Sequence, residues 1–265
     1  MKHLKSFIAI TPLLALISTS NGATDDFTSY ANGTALSPSN GWSAKWDSTN
    51  ATQQDLYTVT DGVLTLDTSV AWRNYHALNQ SGITMSTDKT AILSAEFRYH
   101  HTSGGNITTN FNQSAFGLMI SDDANWYSGK NAYLAMSNRG GAIGNPLPIA
   151  PWIEGWQTHT SLGVDTTAGG TSEWIRIEWK LTDNGTEIEA VGDIYNATTG
   201  ALLYTTTTYT TGIASGSTIY GGFSTAWNGI GDVPIESFSK FDAINIDNFS
   251  FALDSVPAGS MIIIN

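Results

Sequence analysis

The chain has 265 residues, a formal charge of -12, 13% charged side chains and no cysteine. An acidic chain without a Lys/Arg cluster is a poor match for phosphate backbones and anionic bilayers, so nucleic-acid and membrane-surface functions are disfavoured. Without cysteine there is no disulfide staple, and the fold must rest on its core or on a bound metal.

The first residues read as an export signal. Lys2, His3 and Lys5 precede an apolar run over 6–17, and small or polar residues follow to Ala23, the three-part layout of a secretory leader. Spanning a bilayer takes about 20 apolar residues, and Pro12 interrupts this shorter run, so residues 1–23 are expected to be cleaved and not retained as an anchor. The product would be secreted, extracellular or periplasmic. Loss of Lys2 and Lys5 leaves it more acidic still. Residues 24–255 then form one domain, since no repeat or linker divides them, and 256–265 form a tail.

Strand periodicity follows almost everywhere. The segments 57–60 and 63–67 flank Asp61-Gly62, a two-residue hairpin signal, and 70–78 follows. In 91–101, Leu93, Ala95, Phe97 and Tyr99 alternate with Glu96, Arg98 and His100. Next come 114–121 and 131–137, where Tyr133 alternates away from Ala132, Leu134 and Met136 and should face outward. The Gly/Pro-rich stretch 140–151 reads as a loop over one face. In 171–181, Ile175, Ile177, Trp179 and Leu181 should face the core, opposite Trp174, Arg176, Glu178 and Lys180. Asn184-Gly185 and Thr199-Gly200 mark hairpins around 187–195, and 202–209, 218–225 and 241–253 complete the set. No segment reads as a helix. Many short strands joined by hairpin turns predict an all-β, two-sheet antiparallel sandwich or jelly roll.

Several motifs carry a resemblance: Asp25-Asp26-Phe27, Tyr30-Ala31-Asn32-Gly33-Thr34-Ala35-Leu36, Asn40-Gly41-Trp42, the Tyr57 to Leu64 hairpin, Leu93 to Tyr99, and Ile246-Asp247-Asn248-Phe249. Together they resemble the exported concanavalin A-like (laminin-G-like) jelly-roll domains of aquatic bacteria, over nearly all of the chain after the leader. The resemblance implies two curved sheets, a concave face able to hold an extended glycan, and often a structural calcium where the termini meet. That fold hosts sugar-binding modules, glycoside hydrolases and polysaccharide lyases alike, so it leaves the activity open.

Calcium binds carboxylate and carbonyl oxygens. Asp25, Asp26, Asp242 and Asp247 lie near the two chain ends that the fold would bring together, and they are the candidate ligands; ordinary strand-end carboxylates are the alternative. Retaining glycosidases need two carboxylates about 5 Å apart, which hydrolases of this fold carry as Glu-x-Asp-x-x-Glu on one strand. No such triad occurs. Glu187, Glu189 and Asp193 share one strand face, but that strand reads as a solvated edge.

Elimination from a uronate fits the inventory better. It needs a carboxylate neutraliser, a base for the C5 proton and an acid for the leaving oxygen. The candidates are Arg73 as neutraliser, His76 or Lys130 as base, and Tyr133 or Tyr220 as acid. Alternation sends Arg73 and His76 to opposite faces unless a bulge intervenes. Binding is expected from aromatic platforms and polar anchors at Trp126, Arg139, Trp156, His159 and Trp227. The partner class is an extracellular polysaccharide. Cleavage by a lyase, adhesion without chemistry, and packing of these aromatics under loops all remain open from the sequence.

Overall fold

The computed structural model describes residues 22–36, 41–46, 57–67, 75–100, 114–125, 129–138, 148–152, 160–161, 171–227 and 243–254. Among the described residues every regular element is a strand. The first are β1 (Gly22–Asp25), β2 (Trp42–Trp46), β3 (Tyr57–Thr60), β4 (Val63–Asp67), β5 (Tyr75–Asn79) and β6 (Ile83–Thr84). Then follow β7 (Thr90–His100), β8 (Ser114–Ser121), β9 (Asn131–Asn138), β10 (Pro148–Trp152), β11 (Thr160–Ser161) and β12 (Ile175–Asp183). The last are β13 (Glu187–Asn196), β14 (Leu202–Thr205), β15 (Tyr209–Ala214), β16 (Thr218–Trp227) and β17 (Ala243–Leu253).

These strands form two antiparallel sheets, the architecture of a concanavalin A-like jelly roll. The nine-stranded sheet runs β14-β13-β12-β7-β17-β4-β3, with β1 beside β17 and β15 beside β13. The eight-stranded sheet runs β11-β10-β9-β8-β16-β5-β2, with β6 beside β16. Alternation in sequence becomes alternation in burial: along β7 every second residue from Ala91 to Tyr99 is buried, as are Ile175, Ile177, Trp179 and Leu181 on β12. Facing them from the other sheet are Ala77, Phe116, Leu118, Ile120, Ala132, Leu134 and Phe223. At about 1.5–3 kcal/mol per large apolar side chain, this interlayer is the main driving force for folding.

Turns close where their residues permit. Asp61 and Gly62 both have positive φ, 52° and 76°, the backbone a two-residue hairpin requires. The two chain ends pair as expected: Asp25 lies opposite Phe249, and Gly22 opposite Ala252. Strand β17 changes partner to allow this. Its register against β7 shifts between Asp247 and Ser250, β4 pairs only as far as Ile246, and β1 takes over beyond the bulge, where Asn248 has φ 50°.

Two sequence expectations are corrected. Pro148–Trp152, inside the stretch read as a loop, is a strand paired with β9 and with the two-residue β11; prolines are tolerated so close to a sheet edge. Strand β13 is not an edge. It pairs with β12 on one side and with β15 and then β14 on the other, through two register shifts.

Candidate functional site

The outward face of the eight-stranded sheet is the unusual surface. Because Ala77, Phe116, Leu118, Ala132, Leu134 and Phe223 point into the core, their neighbours His76, Leu78, Met119, Tyr133 and Ser224 lie on the opposite face. That face is nonetheless dry: Leu78 and Met119 are 0% exposed without belonging to the interlayer core, and His76 is 2% exposed. Cross-strand rows define its floor. Ser43, Leu78, Gly222, Met119 and Tyr133 stand in successive register, ending at Trp152. The adjacent row runs Lys45, His76, Ser224, Gly117.

His76 and Tyr133 sit three strands apart, on β5 and β9, which in a flat sheet means about 14 Å between backbones. Their ring centroids are 5.6 Å apart, tilted by 42°. The sheet is therefore concave on this side, and the two rings lean together over Gly222, Ser224 and Gly117, where little side chain intervenes. Tyr220 stands on the same face in a further row, opposite Ser121, which in turn faces Asn131.

Burial sets the protonation states. Desolvation lowers the His76 imidazole to about 3, because a low-dielectric wall disfavours the cation. The same cause raises the Tyr133 phenol to about 12. At neutral pH the pair is a neutral imidazole beside a protonated phenol. Ser224 Oγ is buried and has no hydrogen-bond partner among the described residues.

The structure brings His76 and Tyr133 together and puts Tyr220 on the same face in another row. Lys130 is exposed just before β9, its N–H donating to Asp122 Oδ1 at 2.7 Å, and is not beside His76 in register. Trp227 ends β16 with its backbone paired to Ser114. Arg73, Trp126, Arg139, Trp156 and His159 lie outside the described residues. The sequence reading missed Leu78, Met119, Ser224 and Gly222. Their strand alternation was readable, but their sharing of one floor depends on the β5-β16-β8-β9 order, which no local pattern encodes.

The seam between the termini is a second, separate region. A pocket of about 360 Å³ is lined by Thr24, Asp25, Asp26, Ser29, Asn248 and Phe249. Asp25 is already committed: Oδ1 accepts the Phe27 N–H at 2.9 Å, while Oδ2 accepts the Tyr30 hydroxyl at 2.5 Å and Trp42 Nε1 at 3.0 Å. It ties β1 of one sheet to the first residue of β2 in the other, above an aromatic cluster of Phe27, Trp42, Phe223 and Phe249. Asp26 Oδ1 accepts from the Thr28 N–H and hydroxyl, and Asp247 Oδ1 accepts the Asn248 N–H. Burial raises the Asp247 carboxyl, an effect the Asn248 N–H opposes and Glu96 and Asp26 reinforce. Among the described residues no three His, Cys, Asp or Glu side chains form a metal cage. Asp26 and Asp247 each keep one oxygen outside these bonds, whereas both oxygens of Asp25 accept hydrogen bonds; Asp242 lies outside the described residues.

The outward face of the nine-stranded sheet is different again. Asn245 Oδ1 accepts from Arg98 Nε at 3.3 Å and Nη2 at 3.1 Å and sits 2.6 Å from His100 Nε2. An oxygen already accepting from arginine assigns an imidazole proton to Nε2, and the Thr171 hydroxyl lies 2.9 Å from Nδ1. Asn245 Nδ2 donates to Thr65 Oγ1. Arg98 lies 4.7 Å over the Trp174 ring and Arg176 4.4 Å over Tyr195. Glu189 and Asp193 accept from Asn184 and Thr205 on this sheet, away from the concave face.

No family model matches the chain, and no curated relative matches it. Solved structures match its fold. Lectin II from Ulex europaeus is 10% identical with a TM-score of 0.51, the alignment covering 88% of this chain and 98% of the lectin. A basic winged bean lectin, solved with Tn-antigen, is 12% identical with a TM-score of 0.50 over the same shares. Alginate lyase Aly36B is 17% identical with a TM-score of 0.49, covering 88% of this chain and 97% of the lyase.

Proposed function

We propose that the chain is an exported carbohydrate-active protein that holds an acidic, uronate-containing polysaccharide on the concave face of its eight-stranded sheet and cleaves it by β-elimination. The observation that carries this reading is the pairing of His76 with Tyr133 across three strands, on a curved floor with an apolar centre. The half-buried Tyr133 and Tyr220 offer ring faces and hydroxyls to a sugar, while Leu78 and Met119 are already covered by the protein.

In the reaction, neutral His76 takes the C5 proton, the C–H electron pair forms the C4–C5 double bond, and the C4–O bond breaks as Tyr133 gives its proton to the leaving oxygen. The lowered pKa alone makes His76 a weak base. The uronate carboxylate, bound beside the imidazole, favours its cationic form and raises its basicity in the complex. Arg73, three residues before His76, is the proposed neutraliser. Tyr220 is the alternative acid, and Lys130, in another register, is a less suitable base.

Incubating the purified protein with alginate, pectin and ulvan tests this reading by the ultraviolet absorbance of unsaturated product. Silence with every polymer, in the presence of calcium, removes elimination. Retarded migration in polysaccharide gels, weakened by Trp227→Ala or Trp156→Ala, then keeps a non-catalytic binding or adhesion function. Calcium is proposed for the seam, with Asp26 and Asp247 as its carboxylate ligands; a thermal midpoint unmoved between calcium and chelator would reject it.

A further inference from the structure

The concave site uses two glycines as spacers. Strands disfavour glycine, and one in a strand interior often marks a close backbone approach. Gly222 lies mid-strand in β16, opposite Leu78 of β5. A Cβ there would meet the Ala77 carbonyl oxygen at 1.8 Å, its carbon at 2.8 Å and Leu78 Cα at 2.9 Å. All three are backbone atoms and cannot swing aside, so any side chain at 222 pushes away the strand segment that follows His76 directly. Gly82 does the same for the other candidate acid. Its Cβ would lie 2.7 Å from Tyr220 Cε1, 3.0 Å from Cζ and 2.7 Å from Thr218 Cγ2, so the phenol ring rests on bare backbone.

The neighbouring Gly221 provides the contrast. It points into the core, where a Cβ would meet Leu93 and Phe251 side chains at 2.9 Å. Its role is interlayer packing. The two consecutive glycines of β16 therefore serve different faces.

We propose that Gly222 and Gly82 are positioning residues of the concave site: Gly222 lets β5 close over β16 so that His76 reaches Tyr133, and Gly82 seats the Tyr220 ring. This role rests on the reading of that face as the site. It predicts that adding one methyl group at either position displaces a named ring, while a methyl group at Gly221 disturbs the core and leaves the rings where they are.

The experiment compares Gly222→Ala, Gly82→Ala and Gly221→Ala by NMR of histidine- and tyrosine-labelled protein and by turnover on alginate. In Gly222→Ala the His76 resonance shifts and its titration midpoint rises as β5 opens to water. Gly82→Ala shifts the Tyr220 ring resonances, and Gly221→Ala moves neither. Turnover on alginate, if present in the parent, falls about tenfold or more in kcat with KM little changed, as misplacement of reacting groups demands. Gly82→Ala, which meets side chains and not backbone, carries the test should Gly222→Ala not fold. Unmoved His76 resonances in Gly222→Ala, or unmoved Tyr220 resonances in Gly82→Ala, overturn the assignment. Resonance shifts in a parent that cleaves no polymer uphold the positioning role and reject elimination, so the two readings fail separately.

Discussion

The two outward faces of the sandwich treat their polar groups in opposite ways. On the nine-stranded sheet, Asn245 gathers Arg98, His100 and Thr65 into one network that continues to Thr171, and two guanidinium groups lie on aromatic rings of the same sheet. Most of its described polar groups are tied to one another, with Arg176 Nε the exception, buried without a hydrogen-bond partner. On the eight-stranded sheet, His76 and Ser224 are buried in an apolar setting with Leu78 and Met119, and burial lowers the imidazole. Perturbed titratable groups on a curved floor mark the eight-stranded face, and not the nine-stranded one, as the candidate site.

The largest expected break in this contrast is catalytic. His76→Gln should lower the elimination rate by about 10²–10⁴-fold, the usual contribution of a general base, and Tyr133→Phe should lower it while keeping the ring. Asn245→Leu, on the other face, should leave the rate within about twofold once folding is checked, since its partners touch no part of the groove. Equal losses from His76→Gln and Asn245→Leu would erase the distinction between the faces.

Acid stability comes next. The folded protein holds His76 neutral down to about 3, while the unfolded chain protonates it near 6.5, so the unfolded state binds the extra proton. The stability this group contributes is whole above roughly pH 6.5 and is lost as the pH falls toward 3, by about 1.4 kcal/mol per unit. Denaturant midpoints measured from pH 7 to pH 4 should fall in the parent and flatten in His76→Gln. A parallel slope in both proteins would mean that His76 is not desolvated.

Much of this contrast could be read from the chain, and some could not. The alternation that put Tyr133 outward and Trp179 in the core is a local, period-two signal, and it survives in the fold. So does the pairing of the two ends, because Asp25-Asp26-Phe27 and Asp247-Asn248-Phe249 carry strand-end chemistry at both termini. The approach of His76 to Tyr133 was invisible, since it depends on the curvature of four strands and on the side chain missing at Gly222. Strand Pro148–Trp152 was hidden by composition: glycine and proline signal loops, yet tertiary pairing with β9 overrides that signal. The role of Asp25 was obscured for a related reason. A carboxylate near a chain end does not reveal that Tyr30 and Trp42, 5 and 17 residues away, donate to it.

Smaller effects test the scaffold side. Asp25→Ala leaves the Trp42 indole N–H, the Tyr30 hydroxyl and the Phe27 N–H without their acceptor, and should cost about 3 kcal/mol by urea denaturation, given about 1–3 kcal/mol for each unsatisfied buried group and partial access to water here. Asn245→Leu should cost about 2 kcal/mol, because half-buried Arg98 and His100 lose a shared acceptor at a buried position.

Trp174→Ala is the mildest and the most discriminating of the scaffold changes. It removes the ring under Arg98 but leaves the guanidinium bonded to Asn245, so the loss should be about 0.5–1 kcal/mol, the worth of an exposed cation–π contact. The same ring is also an aromatic on the nine-stranded sheet's outward face on which a sugar could stack. If that face were a glycan surface, Trp174→Ala would weaken retention in polysaccharide gels with little change in stability. The Asn245 network argues for the reverse: a small, measurable drop in midpoint and unchanged retention, because one face of the ring is already occupied by Arg98 and the groove proposed to hold the polymer lies on the opposite sheet.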